Sequence, residues 1–521
     1  MDDAAKPAQV AGRIIPLAVE PTGVPGLDQV LGGGLPRGGL VLVVGPPGSG
    51  KTTLAIQMAF AAARAGRRAL ILTLLAEPPS KLITHLRTYT FCDEDLLGDA
   101  VQVLSLEQFL ADGLAGSAQQ VVALARAQRA DLVVLDGFTG LQDDATDQSA
   151  TRAFLHTVGT ALNVPGTTTI ITAQGMPRDA ALFPEVTTAD LLLGLHYNLD
   201  GVRESRGLEA MKVRGAARLP GLHALMLTVD GVTIYPRLEA RVRADTADME
   251  DAPNLEGRVA FGLPELDALL NGGLTRETST LVLGSLGTGK TLLALHFALA
   301  GIAAGEPTVY LGFRETRGQL LRRADAFDLG ARLRTALQPG GGLTLRHIDP
   351  IELEPDIIAH ELLAILDANG ARRLVVDSIT ELERAVARTA DPRRLDDYLK
   401  ALLSALRMRR ISVLFIKESR MLVTTHLTLT ADALSILAEN VLVLQQVTYQ
   451  DRLVRVLSVL KMRFSAHDVS LREFRIGAPA GLRVLPLTES GAETLVGLAR
   501  QQGVPLALSG EDGVLNADGS A

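Results

Sequence analysis

The sequence contains a long internal repeat. Gly23-Val24-Pro25-Gly26-Leu27-Asp28, then Leu31-Gly32-Gly33-Gly34-Leu35, returns as Gly262-Leu263-Pro264-Glu265-Leu266-Asp267, then Leu270-Asn271-Gly272-Gly273-Leu274. Leu27 and Leu266 stand 239 positions apart, as do Lys51 and Lys290, and Asp136 and Asp377 stand 241 apart. Whatever one copy folds into, the other must fold into as well, so the repeat predicts one domain used twice. A chain of 521 residues is also too long for one ordinary core. The copies are expected to run over 12–243 and 257–486. Between them a linker, 244–256, carries Asp245, Asp248, Glu250, Asp251 and Pro253, and a tail, 487–521, follows. The first ten residues and the end beyond Gln502 read as loose termini.

Within each copy, short apolar runs alternate with longer helical stretches. Residues 40–44, 68–74, 132–135 and 168–172 read as strands in the first copy, and 308–311, 374–376 and 412–416 in the second; the Ala-rich 53–63 reads as a helix. Strands apolar along their whole length are buried on both faces, which predicts a mostly parallel sheet covered by helices: an α/β fold, twice.

The chemistry begins where the first strand meets its helix. Gly45-Pro46-Pro47-Gly48-Ser49-Gly50-Lys51-Thr52 and Gly284-Ser285-Leu286-Gly287-Thr288-Gly289-Lys290-Thr291 both satisfy the P-loop pattern, with Thr53 and Leu292 next in their helices. The glycines let successive backbone N–H groups converge on a polyphosphate and the helix dipole favours the anion. The lysine neutralises the outer phosphates, and the Thr52 or Thr291 hydroxyl takes a place on Mg2+. Asp136 closes the apolar run 132–135 and Asp377 the run 374–376, where a carboxylate is expected to hold the magnesium shell. ATP and Mg2+ are therefore the expected ligands of two P-loop NTPase domains.

Composition narrows the alternatives. The chain is 47% hydrophobic and 21% charged, a folded rather than a disordered balance. Its longest uncharged apolar stretch, 292–305, is too short to span a bilayer, and no secretory leader is read, so a soluble cytoplasmic protein is expected. A single cysteine, Cys92, cannot form an internal disulfide, and nine scattered histidines offer no zinc spacing. A net charge of -8 disfavours a chain devoted to nucleic-acid phosphates.

Other residues carry a family resemblance. Phe313-Arg314-Glu315-Thr316-Arg317-Gly318-Gln319-Leu320-Leu321-Arg322 after Val309-Tyr310-Leu311 resembles the strand-end segment of the second KaiC domain. Lys461-Met462-Arg463, with His467-Asp468 and Arg472-Glu473-Phe474, resembles its late hairpin, and Lys212-Val213-Arg214-Gly215 is the counterpart in the first copy. From about Val19 to Leu487 the chain is similar to the circadian clock KaiC family, tandem RecA-like ring ATPases and autokinases. The resemblance implies two RecA-like domains, a homohexamer of two stacked rings, and ATP between neighbouring subunits. It also implies that Lys212 with Arg214, and Lys461 with Arg463, act on the neighbour's phosphates; an arginine supplied in trans makes catalysis conditional on assembly.

The chain departs from the family at the catalytic acids. Where the family has two adjacent glutamates, the first being the general base, this sequence has Ala76-Glu77 and Arg314-Glu315. Glu77 and Glu315 remain as candidate acids, and slow hydrolysis is expected. The family's Ser-Thr phosphoacceptors correspond to Ser435 and Ile436, leaving Ser435 as the candidate acceptor of a weak autokinase. Arginine does not accept a proton, its pKa being above about 12. Arg314→Glu is accordingly expected to raise labelling of Ser435. Two other classes stay open: a DNA-dependent RecA or RadA-type ATPase using Arg393, Arg394, Arg407, Arg409 and Arg410, and a nucleotide-gated signalling scaffold with little turnover. With 4% aromatic residues and no Trp, stacking platforms for single strands are scarce.

Overall fold

A computed structural model describes residues 18–73, 79–106, 113–138, 148–164, 166–177, 188–245, 257–389, 393–419, 433–449, 452–468, 470–478 and 481–486. Ala76 and Glu77 lie outside the described residues. Two compact units, Met1–Ala247 and Asp248–Ala521, make up the chain.

The first unit opens with a ribbon of β1 (Val19–Glu20) and β2 (Leu35–Pro36). Its main sheet has nine strands. In chain order these are β3 (Leu40–Gly45), β4 (Ala69–Thr73), β5 (Val101–Ser105), β6 (Leu132–Asp136), β7 (Thr168–Gln174), β8 (Leu191–Asp200), β9 (Arg203–Val213), β10 (His223–Thr228) and β11 (Gly231–Tyr235). The spatial order is β11-β10-β9-β8-β3-β7-β6-β4-β5, parallel from β8 through β5 and antiparallel from β8 to β11.

The second unit repeats this plan. Its ribbon is β12 (Arg258–Val259) with β13 (Leu274–Thr275). The sheet strands are β14 (Ser279–Gly284), β15 (Thr308–Gly312), β16 (Leu343–His347), β17 (Arg373–Asp377), β18 (Ser412–Glu418), β19 (Asn440–Tyr449), β20 (Arg452–Met462), β21 (Arg472–Gly477) and β22 (Gly481–Pro486). Their order, β16-β15-β17-β18-β14-β19-β20-β21-β22, is the first sheet strand for strand. The fold class expected from the repeat is thus the fold observed, with three antiparallel-paired edge strands per copy, β9–β11 and β20–β22, as its extension.

The apolar runs are continuous because both faces of the sheet are covered. Successive side chains on a strand point to opposite faces. Val41 and Val43, with Val134, lie in one core of the first unit; Leu40, Leu42 and Val44, with Val133 and Leu135, lie in the other. The helices Lys51–Arg64 and Lys290–Ala303 follow the P-loop strands and are apolar almost all round. Leu54, Ile56 and Phe60 in the first, and Leu293, Leu295 and Phe297 in the second, are fully buried, each large side chain contributing about 2 kcal/mol. Burial of the helix fixes the direction in which its N-terminus points, and that N-terminus is the site.

Candidate nucleotide sites

Each P-loop leaves the central strand of its sheet and enters a helix through glycines that a side chain would spoil. Gly50 and Gly289 stand at the helix N-caps with φ of 97° and 99°. The positive φ favours glycine at both caps, and a Cβ on Gly289 would also fall 2.4 Å from the terminal methyl of Ile476, which would have to move. A Cβ on Gly45 would lie 2.7 Å from the Leu195 carbonyl oxygen and one on Gly284 2.6 Å from that of Leu444. Gly48 and Gly287 take φ of 75° and 74°. Ser49 and Thr288 are fully buried beneath the loops, Thr288 donating to the Ser285 carbonyl at 2.9 Å.

The P-loop lysines and threonines are all hydrogen-bonded. Lys51 donates to the Pro46 carbonyl at 2.9 Å, and Lys290 to those of Gly284 and Ser285 at 2.8 and 2.7 Å. Burial pulls both ammonium groups below their ordinary pKa, so an anion in the loop would be attracted by a poorly compensated charge. The Thr52 hydroxyl donates to Asp136 at 3.0 Å and that of Thr291 to Asp377 at 2.8 Å. Burial pushes both carboxyls up, opposed by these hydrogen bonds and by Lys51 and Lys290. A divalent cation beside either carboxylate would relieve the same desolvation.

The two sites differ in how the aspartate is held. Thr172 of β7 donates to Asp136 at 2.5 Å, whereas Tyr310 of β15 donates to Asp377 at 2.9 Å. Burial and the Asp377 charge raise the Tyr310 hydroxyl far above its ordinary range, so it stays a donor.

A cavity of about 280 Å3 opens beside the second P-loop, lined by Lys290, Thr291, Asp377, Glu315, Arg314 and Glu418 among others. Arg314 is fully engaged there. Its Nε and Nη2 donate to Glu381 Oε1 at 3.1 and 3.0 Å, and its Nη1 to Glu418 Oε2 at 2.6 Å. Glu315 accepts from Arg323 Nε at 3.0 Å and also from Arg323 Nη2.

The family described as the KaiC ATPase matches the chain over residues 20–239 and 259–489. The chain belongs to the KaiC ATPase family. The circadian clock protein KaiC3 of Synechocystis sp. is 26% identical to it over 474 residues, 87% of this chain and 89% of that protein. The circadian clock oscillator protein KaiC of Synechococcus elongatus is 26% identical over 476 residues, 87% of each. That of Rippkaea orientalis is 25% identical over 470 residues, 87% of this chain and 86% of its own.

The KaiC-type Lys-x-Arg pairs sit at the opposite ends of the sheets from their own P-loops. Lys212 pairs with Leu192 and Lys461 with Val441, each beside a register shift that both copies share. In each sheet the parallel register carries the P-loop strand onward from that level to Gly45 or Gly284, a separation of at least about 10 Å at 3.3 Å per residue. Lys461 donates to the carbonyls of Ile436 and Ala438 at 3.1 and 2.7 Å, closing the C-terminus of the short helix Ala433–Leu437 that holds Ser435. Arg214 pairs with Asp190 at 3.1 Å, and Arg463 is exposed.

Arg206 and Arg455 were not singled out by motif. Each donates from Nε to a P-loop carbonyl, of Gly48 and Gly287 respectively, at 3.1 Å. Their signal was in the repeat: they share the 249-residue offset that relates Lys212 to Lys461. The basic cluster of the second copy is largely spent on folding. Arg394 pairs with Asp356 at 2.6 Å, Arg407 with Glu439 at 2.6 Å and Arg409 with Asp367 at 2.8 Å. Among the described residues no helix is long and apolar enough to cross a membrane.

Proposed function

We propose that this KaiC-family chain binds ATP with Mg2+ at both P-loops, hydrolyses it slowly, and assembles as an ATP-dependent homohexamer. The observation that carries the reading is the duplicated constellation of a half-buried P-loop lysine and a P-loop threonine bonded to an aspartate at the end of the next strand but one. Thr52 with Asp136, and Thr291 with Asp377, offer the hard oxygens that Mg2+ prefers, its remaining positions being filled by phosphate and water. Among the described residues no larger cluster of His, Cys, Asp or Glu forms a metal site, and none is needed for this arrangement. When bound, the ion draws charge from the β- and γ-phosphates. Lys51 and Lys290 neutralise the same oxygens, while Arg214 and Arg463 complete a neighbour's site.

Autokinase activity is weak in this reading. Arg314 stands where the family's base stands, and it is bound between two acids. Arg314→Glu alone would set a third carboxylate against Glu381 and Glu418, so the expected gain in Ser435 labelling requires removal of Glu381 as well. The test is phosphate release and intact mass after incubation with ATP and Mg2+. Slow release that Lys51→Ala and Lys290→Ala each reduce, with little mass increase of one phosphate, is the expected result. An ATP-dependent oligomer without turnover would favour the scaffold.

A further inference from the structure

The repeated fold provides an internal comparison. In the first sheet the residue beside Gly45, where the P-loop begins, is Gln174 of β7; in the second the residue beside Gly284 is Glu418 of β18. The same backbone position thus carries an amide in one copy and a carboxylate of nearly the same shape in the other. Among the described residues the second copy therefore has an acid, Glu418, beside the start of its P-loop where the first has an amide.

Hydrolysis needs a carboxylate able to orient and deprotonate water beside the γ-phosphate. Three acids line the second cavity: Asp377, Glu315 and Glu418. Asp377 already accepts from Thr291 and Tyr310, as a metal-shell residue would. Glu315 is held at both oxygens by Arg323. Glu418 accepts only at Oε2, from Arg314, and among the described residues its Oε1 accepts no hydrogen bond. Its side chain is 19% exposed, on the cavity wall it shares with Lys290. Arg314 bridges Glu418 and Glu381, and Glu381 also pairs with Arg384, so the arginine fixes the Glu418 carboxylate through one oxygen and leaves the other facing the cavity.

We propose that Glu418 is the general base of the second nucleotide site, with Arg314 as its positioning residue, in place of the acid absent from position 314. This rests on the reading of the site as an ATPase. The water oxygen bonds to the γ-phosphorus as the bond from that phosphorus to the β,γ-bridging oxygen breaks. ADP leaves with the bonding pair, and the water proton passes to Glu418 Oε1. Gln174 lacks a proton-accepting carboxylate, so the first site does not use this route.

The test measures phosphate release and mant-ATP binding on the full chain, with Lys290→Ala defining the share of turnover that belongs to the second site. Glu418→Gln is expected to remove that share, by about tenfold or more, with mant-ATP stoichiometry unchanged. Glu315→Gln is expected to retain most of it. Turnover in Glu418→Gln equal to native would overturn the proposal, as would loss of the whole share in Glu315→Gln. Loss of mant-ATP binding in Glu418→Gln would also overturn it, making Glu418 a structural partner of Arg314. If the native chain releases no phosphate, or Lys290→Ala changes nothing, the ATPase reading of the site falls first and the proposal with it.

Discussion

A buried and a half-buried histidine show how a single side chain ties this fold to pH. His223 is fully buried in the first domain; the Arg237 N–H donates to its Nδ1 at 2.9 Å, so Nε2 carries the proton facing the Leu219 carbonyl at 3.1 Å. His296 has no such help. It lies in the helix Lys290–Ala303 with Nε2 buried and, among the described residues, without a hydrogen-bond partner. Burial, and then the charge of Arg332, pull its pKa from the ordinary 6.5 down to about 4. Between those values the unfolded chain binds a proton that the folded chain refuses, so stability falls as pH is lowered through that window, by up to about 3 kcal/mol. The urea midpoint of the second domain is expected to drop between pH 7 and pH 4.5. His296→Leu, which stays neutral at both, is expected to show a clearly smaller drop; an equal drop would assign the acid sensitivity elsewhere.

At the scale of elements, β17 is anchored differently from its twin β6. Arg373 opens β17 where Leu132 opens β6, and it is only 2% exposed. It donates to Glu306 at 2.6 Å and to the carbonyls of Ala260 and Phe297 at 2.8 and 3.0 Å, with its guanidinium 4.9 Å from the Phe297 ring centroid. Glu306 also pairs with Arg276 at 2.6 Å. A Cβ on Gly301 would meet Arg373 Cδ at 2.6 Å, so the helix carries a glycine to admit the arginine. A buried ion pair adds little by itself, but removing one partner strands the other at a cost of about 3–5 kcal/mol. Arg373→Leu is expected to lower the second domain's urea transition by an amount toward the lower end of that range, because Arg276 remains. Adding Glu306→Gln should recover part of the loss, and the first domain's transition should not move.

At the scale of the molecule, the Lys-x-Arg pairs set the strongest expectation. Because each sits at the far end of its sheet from its own P-loop, a role in phosphate chemistry requires another subunit. Arg463→Ala is therefore expected to lower phosphate release about tenfold or more in the assembled protein, with mant-ATP binding retained. Release unchanged in intact oligomers would return the pair to an ordinary solvated hairpin. The repeat, the α/β class and both P-loops were legible in the sequence. A phosphate cradle needs contiguous residues, and strands buried on both faces write themselves as apolar runs. The edge strands β10, β11, β21 and β22 were not, since a strand buried on one face carries a weaker pattern. Nor could the sequence show that Arg314 bridges Glu381 and Glu418, which lie 67 and 104 positions away, or that Thr172 holds Asp136 and Tyr310 holds Asp377. Local patterning determined that two P-loop motifs exist. Which acids and bases meet in them was decided only by the parallel register of the strands, because it joins residues whose separation in the chain follows no period.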